Sequence, residues 1–176
     1  SFGKMSRYFK SIGAPISVPT LIRYFGHLRE AFLVFDVTIF SKRIRDRLQY
    51  PRKVYCHDTG LASVIGGVGA GARYENAVAA ELVRRGETMH YWKDRADYEV
   101  DFVVGRVGKT MAVQVCFDIS DPDVRKRELR AMERCMDELD IPSGLLITRS
   151  EEGVADAGWR EVRVVPLWKW LLEGKT

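Results

Sequence analysis

Two alternating runs hold the residues best suited to chemistry. Tyr98 to Val104 reads Tyr-Glu-Val-Asp-Phe-Val-Val, and Thr110 to Phe117 reads Thr-Met-Ala-Val-Gln-Val-Cys-Phe. Period-two alternation argues two strands, and Gly-Arg-Val-Gly-Lys between them argues a tight connection. In the first run Tyr98, Val100, Phe102 and Val104 share a face, opposed to Glu99 and Asp101. In the second, Met111, Val113, Val115 and Phe117 oppose Ala112, Gln114 and Cys116. Matching the apolar faces restricts the register, because a one-residue slip turns one apolar set outward. With Arg106 to Lys109 as a loop, Val104 pairs with Met111 and Phe102 with Val113, which sets Asp101 opposite Gln114 and Glu99 opposite Cys116. Two carboxylates and a carboxamide on the polar face of one hairpin suit a metal-ion site, or its remains.

A third acid comes from an upstream helix. Glu75 sits one turn before Val78, Ala79 and Leu82 on the same helical face, which aims its carboxylate inward. The competing reading is a first-turn glutamate that only complements the helix dipole. Combined with Asp101 and Gln114, a metal reading stands level with it, because a hard cation wants several oxygens at one point.

These residues need a scaffold. The sequence predicts a helix at about 73–85, a strand at 88–93 and the hairpin. A charged helix at 122–139 with Asp121 as N-cap follows, then strands at 144–148 and 161–165 and a short helix at 167–173. Helix, three strands, helix, strand, strand is an α/β layer arrangement with a mixed sheet. Trp168 and Trp170 flank Lys169, with one ring expected on the core.

The N-terminal third has a different outline. Phe2 to Ile12 reads as a helix ended by Gly13, and Ser17 caps a second helix with Pro19 just inside it. Strands are expected at 32–40 and 52–57, with a short helix at 59–65. Helix, helix and a two-stranded hairpin outline a winged helix, with the segment 41–53 as its wing. Residues 1–65 form this basic module, the glycine-rich 66–72 a hinge, and 73–176 the second domain.

Charge separates the two parts. Residues 1–56 hold 11 Lys/Arg against 3 Asp/Glu, whereas the remainder is net acidic, within a total of +4. The wing carries Lys42, Arg43, Arg45, Arg47, Arg52 and Lys53 against Asp46 alone. If extended, Arg43, Arg45 and Arg47 form one cationic stripe suited to tracking phosphates without reading sequence; an acidic protein face is the alternative partner. Nucleic acid, with DNA as the expected form, is the favoured partner.

Other chemistries are excluded or weak. The Gly105–Thr110 run ends in Gly-Lys-Thr, but its spacing is short and a strand follows, so it is a turn and not a phosphate loop. Three cysteines without Cys-x-x-Cys spacing indicate neither a disulfide framework nor zinc, and three scattered histidines suggest no shared site. No signal peptide or membrane-spanning run is read, so a cytoplasmic location is expected.

An ordered set of segments adds a resemblance. Phe2-Gly-Lys-Met-Ser-Arg-Tyr-Phe-Lys, Asp58-Thr-Gly-Leu-Ala, Glu75-Asn-Ala-Val-Ala-Ala-Glu-Leu, Tyr91-Trp-Lys, Glu99-Val-Asp-Phe-Val-Val, Gln114-Val-Cys-Phe-Asp and Val165-Pro-Leu-Trp-Lys-Trp-Leu span nearly the whole chain. Together they resemble the C-terminal half of archaeal and bacterial AAA-type ATP-binding proteins, a domain of unknown function. The resemblance implies a fragment or stand-alone remnant whose ATPase domain is a partner in cis or in trans.

That half is in turn similar to the restriction-endonuclease-like, PD-(D/E)XK nucleases. The similarity implies that Glu75 and Asp101 match the superfamily's metal-holding acids, and that Gln114-Val115-Cys116 falls where its Glu-x-Lys stands. A magnesium or manganese ion would then be the cofactor, held by Glu75, Asp101 and Gln114. The departures matter. Gln114 weakens the site's negative charge, and Cys116 cannot supply a lysine's ammonium. Lys93, at the end of the preceding strand, is the candidate replacement. The expected function is a DNA-engaging module with a degenerate, inactive metal site. An active metal-dependent nuclease on branched or flapped DNA and a protein-docking module are the alternatives.

Overall fold

The computed structural model describes residues 1–41, 50–106 and 109–174. Its centre is a six-stranded mixed sheet of order β3-β4-β5-β6-β8-β7. The strands are β3 (Met89–Lys93), β4 (Glu99–Arg106), β5 (Lys109–Val115), β6 (Gly144–Thr148), β7 (Gly153–Ala157) and β8 (Arg160–Pro166). β3, β4 and β5 pair antiparallel, β5-β6 and β6-β8 pair parallel, and β7 closes one edge antiparallel to β8. A parallel β5-β6 pair needs a crossover, supplied by α5 (Pro122–Leu139). Asp121 caps that helix by accepting the Asp123 N–H, with Pro122 in its first turn.

Helices cover both faces, so the molecule is α/β with a central mixed sheet flanked by helices. α4 (Ala70–Arg84) and α6 (Leu167–Leu172) lie on one side, where Val78, Leu82 and Trp170 pack on Phe102, Val113 and Ile147. α5 lies on the other, where Met132, Cys135 and Met136 pack on Val100, Val103 and Leu146. Trp170 is buried and Trp168 exposed. Arg85 locks α6 down, stacking 4.2 Å from the Trp170 ring and donating to the Trp170 carbonyl. No helix among the described residues is long and apolar enough to cross a membrane.

The hairpin register is the expected one, with Phe102 against Val113 and Val104 against Met111. The ladder continues to Arg106 and Lys109, so the connection is shorter than a four-residue loop. The face assignment of the first strand changes, however. His90 to Trp92 of β3 is matched by Val103 to Val100 of β4, one residue more on β4. This bulge breaks the alternation at Asp101–Phe102. Tyr98 and Val100 therefore pack toward α5, whereas Phe102 and Val104 pack toward α4.

The N-terminal elements are α1 (Phe2–Ser11), α2 (Val18–Glu30), β1 (Val34–Val37), β2 (Lys53–Cys56) and α3 (Thr59–Gly66). Ser17 caps α2 and Asp58 caps α3 through side-chain oxygens. β1 and β2 form an antiparallel pair from Val34↔Cys56 to Val37↔Lys53. This pair shares a core with the large sheet: Val37, Ile39 and Tyr55 are buried in the cluster that holds Val78 and Phe102. Within the expected hinge, Gly66 ends α3, Gly67 turns at φ 55° and α4 begins at Ala70. The wing residues Lys42, Arg43, Arg45 and Arg47 lie outside the described residues.

Candidate functional site

The site forms where the first strand pair meets α4 and β4. In a strand, residues two apart point the same way. Lys53 and Tyr55 of β2 therefore both face α4 and the bulged start of β4. The Lys53 Nζ lies 2.7 Å from Glu99 Oε1, 2.8 Å from Asp101 Oδ1 and 3.1 Å from Glu75 Oε1. An ammonium has three donors, and here each meets a different carboxylate. The Tyr55 hydroxyl donates to the same Glu75 oxygen at 2.6 Å.

Asp101 is the most enclosed member. Its Oδ2 accepts the Val115 N–H at 3.0 Å, and its own N–H donates to Gln114 Oε1 at 3.0 Å. The Gln114 amide nitrogen donates to Glu128 Oε2 at 2.7 Å, and Arg127 holds the other Glu128 oxygen. A chain of polar contacts thus runs from β2 through Asp101 to α5.

The electrostatics follow from one enclosed cation shared by three anions, with Lys93 at the edge beside Glu99. Burial pushes the Asp101 carboxyl up to about 7, despite the Lys53 ammonium beside it, and the Glu75 charge adds to the rise. For Lys53, burial pulls the ammonium down, but the Asp101 and Glu75 charges outweigh it and the net shift is upward. Burial and Glu75 raise the Tyr55 phenol, which stays neutral and donates.

Of the residues expected at a metal site, Glu75 and Asp101 converge, joined by Glu99. Gln114 is adjacent, but its oxygen is turned onto the Asp101 backbone and its nitrogen onto Glu128. Lys93 is directed to Asp97 at 3.1 Å and lies 3.6 Å from Glu99 Oε2. It has no ion pair with Asp101 or Glu75 among the described residues. Two cations expected on the wing are engaged by acids: Arg52, at the surface, donates to Asp36 at 2.6 Å, and Lys53 is the centre of the acid cluster. Lys53 turns inward because the register fixing Tyr55 in the core fixes Lys53 on the same face. The Lys-x-Tyr spacing was the one signal for this in the sequence.

The facing oxygens of this donor set are already engaged. Asp101 Oδ1 and the contacted oxygens of Glu75 and Glu99 already hold Lys53, and Asp101 Oδ2 holds the Val115 amide. Among the described residues no group of His, Cys, Asp and Glu has the spacing to hold a metal. Beside the cluster runs an apolar groove of about 700 Å3, lined by Leu28, Leu33, Val54, Leu61 and Ile65 together with Lys53, Glu75 and Glu99.

Comparison with known proteins places this geometry among uncharacterized relatives. The chain is 29% identical over 182 residues to the uncharacterized protein MJ1544 of Methanocaldococcus jannaschii, across 98% of this chain and 40% of that one. It is 32% identical over 121 residues to an uncharacterized protein of Haemophilus influenzae, across 67% of this chain and 30% of that one. It thus spans less than half the length of either relative. Among solved structures, a chain of the Thermococcus gammatolerans McrB AAA+ assembly with bound McrC matches 56% of this chain and 28% of its own, at 10% identity and a TM-score of 0.40. That likeness is too slight to carry an argument. Residues 70–170, from the first turn of α4 to Trp170, match a single family model. On that match, which spans more than half of the sequence, the chain belongs to the family described as Domain of unknown function (DUF4143).

Proposed function

We propose that this chain is a DNA-engaging module of an AAA-type ATPase, built from a winged helix and a restriction-endonuclease-like domain whose metal site is degenerate and inactive. One observation carries the inactive reading: the Lys53 ammonium sits within 3.1 Å of Glu75, Glu99 and Asp101, where a divalent ion would need their oxygens. An ammonium supplies one positive charge and three fixed donors, but it neither activates water nor polarises a phosphoryl group as a divalent ion does. Gln114 points the same way, since both ends of its amide are committed. The excess of 11 basic over 3 acidic residues in 1–56 supports an anionic partner. The ATPase assignment rests on the sequence resemblance, and more than half of the Methanocaldococcus relative lies outside the match.

The test has two arms. Labelled duplex, flapped and four-way DNA incubated with Mn2+ should stay intact. Cutting that disappears in Asp101→Ala would overturn the inactive reading and make Lys53 the next target. Duplex binding should weaken steeply as salt rises, because released counterions drive phosphate contacts. Flat salt dependence, or no binding at low salt, would remove the DNA reading. A second reading, a protein-docking module, has the apolar groove beside Lys53 in its favour. A co-purifying partner without DNA affinity would select it.

A further inference from the structure

Helix α5 carries its charges against its own dipole. A helix favours anions near its N-terminus and cations near its C-terminus, each by ~0.3–1 kcal/mol at the surface. Asp121 and Asp123 make the first turn acidic, but past it Arg125, Lys126, Arg127 and Arg130 outnumber Glu128, and Glu133, Asp137 and Glu138 outnumber Arg134 in the second half, with no base in the last turn. Past the first turn, this order is not one that stabilises the helix itself.

Nor are these cations used up inside the fold. Arg127 is committed to Glu128 at 2.5 Å. Arg125 and Lys126 are exposed and make no ion pair among the described residues, and Arg130 stands 5.9 Å from the Tyr98 ring without one. Lys126 and Arg130 are one turn apart, so they stack on the same side of the helix. Arg125, Lys126 and Arg130 line one wall of an open groove of about 660 Å3 between α5 and the β7–β8 turn at Asp156–Gly158. Glu133, Asp137 and Asp156 also line the groove, with Arg134 paired to Asp94, so an anion is met favourably at Arg125, Lys126 and Arg130. Through Arg127, Glu128 and Gln114, this end of the helix is tied to Asp101.

We infer that Arg125, Lys126 and Arg130 form a second phosphate-contacting surface, separate from the wing, that holds the nucleic-acid backbone along the first half of α5. The inference rests on the DNA reading above and extends it to the second domain. Phosphates docked here neutralise like charges that the helix otherwise holds together unfavourably, and their negative charge suits the N-terminal end of the dipole. The contacts carry no base information, so every sequence should be held alike.

The experiment is fluorescence anisotropy of the whole chain on two labelled duplexes of unrelated sequence, over a salt series. The variant is Arg125→Gln/Lys126→Gln/Arg130→Gln. All three sites are exposed, and a melting curve checks that the fold is kept. The variant should bind both duplexes about ten-fold or more weakly, and its log-log salt slope should be shallower by about three, one for each phosphate contact removed. Arg125→Lys/Arg130→Lys, which keeps the charge, should bind like the parent. If the parent binds with a steep slope and the triple variant matches it, this surface is not used while the DNA reading stands. If the parent itself does not bind at low salt, both fall together.

Discussion

Lys53 decides how the cluster behaves. Lys53 is the cation that all three carboxylates share, so removing its ammonium leaves buried Asp101 beside two half-buried glutamates of like charge. Lys53→Met should therefore lower unfolding stability by about 3–5 kcal/mol, measured by urea denaturation at neutral pH. A loss below 1 kcal/mol would mean that solvent screens the acids far better than their burial suggests. Asp101 gives a prediction in pH. Its carboxyl is raised from 3.8 to about 7, so across that interval the folded chain keeps a proton that the unfolded chain has released. The stability this confers is complete below pH 3.8 and is lost as pH rises through about 7. Melting temperatures of the parent, relative to Asp101→Asn, should fall over that range and then level off; a flat difference would contradict the shift. Alternation set Glu99 and Asp101 on one strand face, and helix phase with the family resemblance set Glu75 toward them. The lysine was not legible in this way. Lys53 is 22 residues from Glu75 and 48 from Asp101, and its direction is set by a short strand pair whose docking no local pattern encodes.

Elements with strong end signals were read closely. α5 begins after its Asp121 cap and runs from Pro122 to Leu139, and β6 spans the expected 144–148. Two features escaped. β7 is an edge strand with Gly153 at its start and exposed Val154, a stretch too polar and short to stand out. The β4 bulge is a mismatch between neighbouring strands, so it has no signature in either strand alone. Its effect is to put Phe102, which packs with Tyr55 in the core, on the side where Asp101 reaches Lys53. Packing on the other face is close at Gly144 of β6. A Cβ there would lie 2.8 Å from Met132 Cε, 3.0 Å from Val162 Cγ2 and 3.1 Å from Met136 Sδ. The methionines can shift, but branched Val162 cannot easily. Gly144→Ala should cost about 1–3 kcal/mol by overpacking, read as a lower melting temperature. An unchanged melting temperature would show that the α5–sheet interface yields freely.

At the level of the whole molecule, the two parts expected from charge and glycine content are joined by more than a linker. Asn76 of α4 accepts from the Cys56 N–H at 2.8 Å and donates to the Cys56 carbonyl at 3.0 Å, giving β2 the pairing a neighbouring strand would have given. Tyr55 and Val37 are buried with Val78 and Phe102. Heat should therefore unfold the chain in one transition, and two resolved transitions would show that the parts are thermally independent. Asn76→Ala, which strands both Cys56 groups, should lower that transition by the equivalent of about 1–3 kcal/mol. Lys53 belongs to the same seam, and its three committed donors have a chemical corollary. An amine reacts with acylating reagents only through its free base, and this one is held protonated and enclosed by Glu75, Glu99 and Asp101. Lys53 should label far more slowly than the exposed Lys4 or Lys126. The rate at which it takes up an acetyl group then becomes a clock for how often the β1–β2 pair lifts away from the larger sheet.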